Sequence, residues 1–482
     1  MITALFLIGS LSAIAALTLP KRALFPAVST LSTALFALAA YITLPLLAGG
    51  TLQSGVWYLD PFAALLLLII AFLQWSATLV SVPFISTELH EGTIDVAHAR
   101  RYFALLSAFI FSMMLTVAVD NLGLMWVALE ATTLATTLLV SFYPRKGSLE
   151  AAWKYIVLCS TGISLGLIGL LLTYYAATVA APDLPNIDWT YLRSIASTLS
   201  PQIMQIAFIF VLIGYGTKVG LAPMHAWLPD AHSRAPAPIS AMLSGVLLNA
   251  ALFAILRYKT LVDASLGGGE WTSVLLVFFG VLSTLIPAAF ILVQTDYKRL
   301  LAYSSIEHMG ITAILFGLGP LGAFAALVHL TGHALTKSML FFGAGNILHA
   351  WKSTKFERVG DVMKTHPYTG GLFLFGVFAL LAAPPSPLFF SEYLLFAGLI
   401  STHPVAFALV AFALLVIGAG FMRFLMPLLF SPVRGGESVE RETFNISHGA
   451  MMVHAVLIVS FGVLLATNAG QTIMSAIAAS IF

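Results

Sequence analysis

Fourteen long apolar runs joined by short polar links make up almost the whole of this chain. A helix needs about 20 apolar residues to cross a bilayer, so the runs restrict the fold before any motif is considered. They lie near residues 2–19, 24–48, 59–84, 102–119, 122–142, 153–178, 202–227 and 235–259, then 271–294, 298–318, 321–349, 370–400, 404–430 and 447–480. Only 9% of residues are charged, against roughly a quarter in soluble domains. An all-α polytopic membrane protein is expected, since lipid tolerates only helices and closed barrels, and a barrel would show short alternating segments. A net charge of +2, with no basic block, offers nothing to nucleic acid. The single cysteine, Cys159, excludes an intrachain disulfide and any cysteine-held zinc or iron–sulfur centre. Residues 1–19 lack a basic leading region and read as a first span, not a cleaved signal.

Loops after odd-numbered runs hold or abut Lys21, Arg22, Arg100, Arg101, Arg145, Lys146, Lys154, Arg234, Lys298, Arg299, Lys352, Lys355, Arg358, Lys364, Arg434 and Arg441. The opposite side carries only Arg193, Arg257 and Lys259, so the first set faces the cytoplasm and both termini the outer side. The polar stretches 86–101, 182–199, 351–368 and 432–446 are too short for a core of their own. One transmembrane domain is expected, with three N-terminal helices over 1–101 and a last helix over 447–480. Between them, the five helices of 102–259 can be laid over the five of 271–430 with opposite orientation. The seventh and twelfth spans then correspond, the pattern of an inverted repeat.

Those two spans each combine a charge with a helix breaker. The seventh holds Lys218 just before Gly220 and Pro223, and the twelfth holds Pro384, Pro385 and Pro387 before Glu392. A charge at mid-bilayer costs about 2.5–3.5 kcal/mol on the lenient scale, and a proline frees carbonyls that water or ions can use. Further ionisable groups within spans are Glu130, His225, Glu307, His308, His329, His333, Lys337 and Arg423. His329, His333 and Lys337 recur every four residues, which sets them on one helix face about 6 Å apart along the axis. An ion or proton relay suits this spacing. A metal site is not expected, because no carboxylate or cysteine adjoins the histidines in sequence and Lys337 repels a cation. Static helix-locking pairs, and interfacial capping for His225 at the cytoplasmic end of its run, remain open readings.

The run Gly220-Leu221-Ala222-Pro223-Met224-His225-Ala226-Trp227-Leu228-Pro229-Asp230-Ala231-His232 resembles the broken seventh helix of the complex I and Mrp antiporter-like membrane subunits. So do the stretches from Asp296 to Gly310 and from His333 to Lys337. Within that family, Trp126–Leu134 and Ser148–Tyr155 are most similar to component F of the hydrogenase-4 and formate hydrogenlyase type. The resemblance implies that Glu130 is the fifth-helix carboxylate, Lys218 its seventh-helix partner, Lys337 the central lysine and Glu392 the exit group. His329 and His333 complete the relay, with His225, Asn249, Glu307, His308 and Arg423 as possible relay or supporting groups. Asn249 is a departure: many relatives carry a lysine in that eighth-helix run, and an amide cannot carry a proton. Hydrated backbone or His333 would have to bridge Lys218 and Lys337.

The resemblance further implies a proton-pumping subunit of the inner membrane, without a cofactor or catalytic chemistry of its own. Its partners would be other membrane subunits and a peripheral nickel–iron hydrogenase or other iron–sulfur module. A sodium–proton antiporter subunit of the Mrp type and a structural scaffold with a silent relay are the alternatives, and Asn249 favours the second.

Overall fold

A computed structural model describes residues 1–182, 186–432 and 440–481; Arg434, counted above with the cytoplasmic charges, lies outside them. The first half contains α1 (Ile2–Thr18), α2 (Lys21–Thr43), α3 (Pro61–His90), α4 (Val96–Ala118), α5 (Leu122–Val140), α6 (Lys146–Ala180), α7 (Trp189–Ser194), α8 (Pro201–Val219), α9 (Trp227–Arg234), α10 (Ala237–Met242) and α11 (Leu248–Leu266). There follow α12 (Glu270–Ile291), α13 (Tyr297–Gly317), α14 (Gly319–Trp351), α15 (Val362–Thr365), α16 (Pro367–Leu380), α17 (Pro387–Thr402), α18 (Pro404–Phe430), α19 (Ile446–Leu465) and α20 (Asn468–Ala479). Among the described residues, eleven helical stretches are long and apolar enough to cross a membrane. The expected all-α polytopic architecture is therefore the one observed.

Several boundaries differ from the sequence expectation, each for a local reason. The seventh apolar run continues beyond 227 as α9, because the chain resumes a helix at Trp227 after its interruption. The twelfth is two short helices, α16 and α17, and the last is α19 and α20, parted at Ala466–Thr467. Between α2 and α3 a small antiparallel hairpin, β1 (Leu52–Ser54) and β2 (Trp57–Leu59), departs from pure helix. Gly55, at φ +59, makes its two-residue turn, and the aromatic pair Trp57 and Tyr58 favours extended backbone.

Helix starts follow the sequence closely. Asp60, Asp95, Asn121, Asp296, Ser386 and Asn445 each accept a backbone N–H of the first turn. Pro387, expected only as a breaker, opens α17, where its missing N–H costs nothing.

Polar groups are housed on the inner helices. The spans formed by α10–α11 and by α13 are buried along their whole apolar windows, whereas α2, α18 and α19 turn most of theirs outward. Close packing relies on small residues, as is usual where lipid removes the hydrophobic drive between helices. A Cβ on Gly214 of α8 would lie 2.4 Å from the Gly166 nitrogen of α6. Arg257 and Lys259, expected in an outer loop, are buried in α11, which runs seven residues further than the hydropathy pattern suggests. Arg257 pairs with Asp60 at 2.5 Å and lies over the rings of Trp189 and Phe253.

Candidate functional site

Two clusters of buried polar groups occupy the interior, and each lies beside a helix interruption. The interruptions are built alike. At the end of α8, Gly220 has φ +81; Leu221 N–H donates to Gly216 O at 2.9 Å and Gly220 N–H to Thr217 O at 3.2 Å. At the end of α16, Ala382 has φ +56; Ala383 N–H donates to Phe378 O at 2.9 Å and Ala382 N–H to Ala379 O at 3.2 Å. Both are Schellman turns. In each, a proline follows three residues after the left-handed residue, Pro223 and Pro385, and both prolines are cis. The freed carbonyls have protein donors: Trp227 Nε1 donates to Thr217 O at 2.7 Å, and Ser386 Oγ to Ala379 O at 3.0 Å. Ala222 N–H donates to Ser283 Oγ of α12 at 2.9 Å.

The first cluster joins α5, α6 and α8. Lys218 is fully buried; its Nζ donates to Thr133 Oγ1 at 2.6 Å and to Tyr155 Oη at 3.0 Å. Thr133 Oγ1 lies 3.2 Å from Glu130 Oε2, and Ser160 Oγ donates to Glu130 Oε1 at 2.7 Å. Glu130 and Lys218 are thus brought together through a hydroxyl rather than as a direct ion pair. The sequence alone does not single out Thr133, Tyr155 and Ser160. The crowding of Thr132, Thr133, Thr136 and Thr137 around one carboxylate is the available signal.

The second cluster joins α13, α14 and α17. Lys337 is fully buried; its Nζ donates to Leu301 O at 2.6 Å and to Ser304 Oγ, both on α13. His308 Nδ1 and His329 Nε2 are 2.9 Å apart, and His329 Nδ1 lies 2.9 Å from Ser391 Oγ. The His333 ring sits 5.1 Å from that of His308 and neither of its nitrogens has a hydrogen-bond partner. Glu307 Oε2 is 3.6 Å from His308 Nε2. Glu392, one residue after Ser391, brings a carboxylate oxygen into a group whose ligand atoms, one each from His308, His329 and Glu392, all lie within 4.8 Å of one another. No carboxylate adjoins His329 and His333 in sequence; the one grouped with His308 and His329 comes from α17, 63 residues beyond His329.

Asn249 is buried at the start of α11. Five residues before it, Leu243–Leu247, form a π-helical turn. Asn249 Nδ2 donates to Gly245 O at 2.9 Å, and its buried Oδ1 has no partner. Ser244 Oγ in that turn is 2.8 Å from Ser305 Oγ, the neighbour of the Ser304 that anchors Lys337. His232, which the sequence alone does not assign to the site, is fully buried, its ring 5.6 Å from that of Phe341, and neither ring nitrogen has a partner among the described residues. Two expected groups stand apart. His225 lies half-buried in the interruption between α8 and α9, not at a helix end, because α9 carries the helix on to Arg234. Arg423 is exposed on α18, over the ring of Phe424, and does not join the clusters.

The arrangement offers titratable and hydroxyl groups in sequence through a helical interior. Comparison with known proteins agrees in fold and family. The family model described as NADH:quinone oxidoreductase/Mrp antiporter, TM matches residues 119–418. A hydrogenase-4 component F homolog from Methylacidiphilum infernorum is 39% identical over 409 residues, 84% of each chain. Hydrogenase-4 component B from Escherichia coli is 31% identical over 72% of this chain and 51% of its own length. A subunit of the archaeal membrane-bound sulfane sulfur reductase superposes with TM-score 0.83, 24% identity and coverage of 99% and 98%. A chain of respiratory complex I from Thermus thermophilus does so with TM-score 0.75, 24% identity and coverage of 97% and 98%.

Proposed function

Since the chain belongs to the NADH:quinone oxidoreductase/Mrp antiporter transmembrane family, we propose that it is the proton-translocating membrane subunit of a redox-driven complex related to complex I, of the hydrogenase-4 type. The observation that carries this reading is Lys218, wholly buried and joined to Glu130 through Thr133 without a direct ion pair. While Glu130 is near, its charge favours the ammonium; when the two separate, burial favours release of the proton. The proton then passes by the π turn to Lys337, on to the histidines and out by Glu392. Moving one charge against 100 mV costs about 2.3 kcal/mol. That energy is to come from partners: further membrane subunits and a peripheral nickel–iron or iron–sulfur module. The setting is the inner membrane, with both termini outside. Lys218→Met and Glu130→Gln are expected to abolish coupled proton movement while assembly persists. Coupling that survives both substitutions would refute the assignment.

A further inference from the structure

The meeting of His308, His329 and Glu392 contains more than a proton path. Its hydrogen bonds admit an assignment that leaves ligand nitrogens available. With Ser391 Oγ donating to Leu388 O at 3.0 Å, it accepts from His329 Nδ1, which in that tautomer bears the hydrogen. His329 Nε2 is left with a lone pair, and it accepts the hydrogen of His308 Nδ1 at 2.9 Å. On the far edge of His308, Nε2 faces the Glu307 carboxylate at 3.6 Å.

We propose that His308, His329 and Glu392 form a binding site for a divalent transition-metal ion of the zinc type, which plugs the outward end of the relay. The ligand atoms are His308 Nδ1, His329 Nε2 and a Glu392 oxygen, already grouped within 4.8 Å. Tetrahedral zinc, with nitrogens at 2.0–2.1 Å, holds neighbouring ligands about 3.3 Å apart, so the two imidazoles part by about 0.4 Å and turn their facing nitrogens toward the metal. Glu392, partly exposed on α17, closes the third position. The displaced hydrogen of His308 moves from Nδ1 to Nε2, opposite Glu307. Each ligating histidine then donates from its other nitrogen to an orienting partner, Ser391 or Glu307, the arrangement that fixes ring and tautomer in metal sites. The two carboxylates, Glu392 and Glu307, balance the charge of a 2+ ion, which makes its burial tolerable. Lys337, the cation on the same helix, is held away at Leu301 and Ser304. Without the cross-helix carboxylates the histidine pair alone would not hold a divalent ion here.

Binding is independent of the relay; blockage rests on the proposed function. The test uses the full-length chain in its purified complex with Zn2+ as the probe. One equivalent is expected, with a zinc-edge absorption spectrum fitted by two imidazoles and oxygen. His308→Gln and Glu392→Gln should each abolish that equivalent, Ser391→Ala should weaken it about 10–100-fold, and His448→Gln, at a separate pair, should leave it. A wild-type spectrum fitted by oxygen alone, or one unchanged by His308→Gln, overturns the site. In proteoliposomes, Zn2+ should stop proton uptake and a chelator restore it. If the equivalent binds with the expected spectrum while uptake continues, the relay through His329 is refuted and the metal site stands.

Discussion

Replacing Thr133 with valine removes a single hydroxyl from the interior while leaving the side chain's shape. In the structure that hydroxyl accepts from Lys218 Nζ at 2.6 Å and lies 3.2 Å from Glu130 Oε2. Among the described residues it is the group hydrogen-bonded to both. A hydrogen bond to a charged partner contributes about 1.5–3 kcal/mol. Lys218 keeps Tyr155 Oη at 3.0 Å and the tyrosine ring at 5.2 Å, so it is not stripped of partners. The loss therefore falls on communication between the two charges more than on folding. If the whole contribution is felt in the transfer step, at about 1.36 kcal/mol per tenfold, coupled proton flux falls roughly 10- to 150-fold. The assay is proton uptake by proteoliposomes holding the complete complex, with turnover of the driving reaction recorded in parallel. Thr133→Ser restores the hydroxyl and is expected to recover most of the flux. Thr133→Val within twofold of the native rate, in a preparation where Glu130→Gln is inactive, would refute the bridging role.

Asn249→Leu removes the amide that donates to Gly245 O in the π turn, a bond contributing about 0.5–1.5 kcal/mol. Proton flux should fall several-fold with assembly intact, and Asn249→Lys should retain flux; native flux in the leucine variant would show that the path avoids this turn. Gly462→Ala would place a Cβ 1.7 Å from Pro385 O at the interruption between α16 and α17. Such overpacking costs about 1–3 kcal/mol or more, so thermal inactivation should occur at lower temperature and coupling should weaken; an unchanged inactivation curve would show that α19 does not brace the interruption.

What the sequence made legible was periodicity and local chemistry. Apolar runs located the helices, and Lys218, Gly220 and Pro223 marked the first interruption correctly because glycine and proline act on their own neighbours. The second was legible only in part, since the left-handed residue there is Ala382, which no propensity rule singles out. Contacts across long separations were not legible. Asp60 and Arg257 lie 197 residues apart, and the carboxylate beside His329 comes from another helix. Small hydroxyl residues escape notice for a different reason. In membrane helices serine and threonine commonly satisfy themselves on the preceding turn, as Thr137 does on Thr133 O. Thr133 therefore reads like its neighbours until Lys218 is set beside it. His232 sits inside a recognised motif but two residues before Arg234, and the charge suggests a loop; in the structure it is fully buried on α9.

The absence of a lysine at position 249 does not require the relay to be silent, because the π turn changes what the eighth span presents. An extra residue in the turn leaves backbone carbonyls out of the ordinary helical ladder, and Asn249 takes up one of them with its amide nitrogen. Among the described residues Asn249 Oδ1 is a buried acceptor without a partner. The turn packs closely against the second cluster: a Cβ at Gly245 would come within 2.8 Å of Ser338 Oγ, the residue next to Lys337. From the other side, Ser244 meets Ser305, beside the serine that holds Lys337. His232 adds two further unpaired nitrogens to the same region. Together these groups supply the acceptors and hydroxyls that the proposed link from Lys218 to Lys337 would use. The scaffold reading instead requires that proton flux be indifferent to substitution of Asn249, His232 and His333.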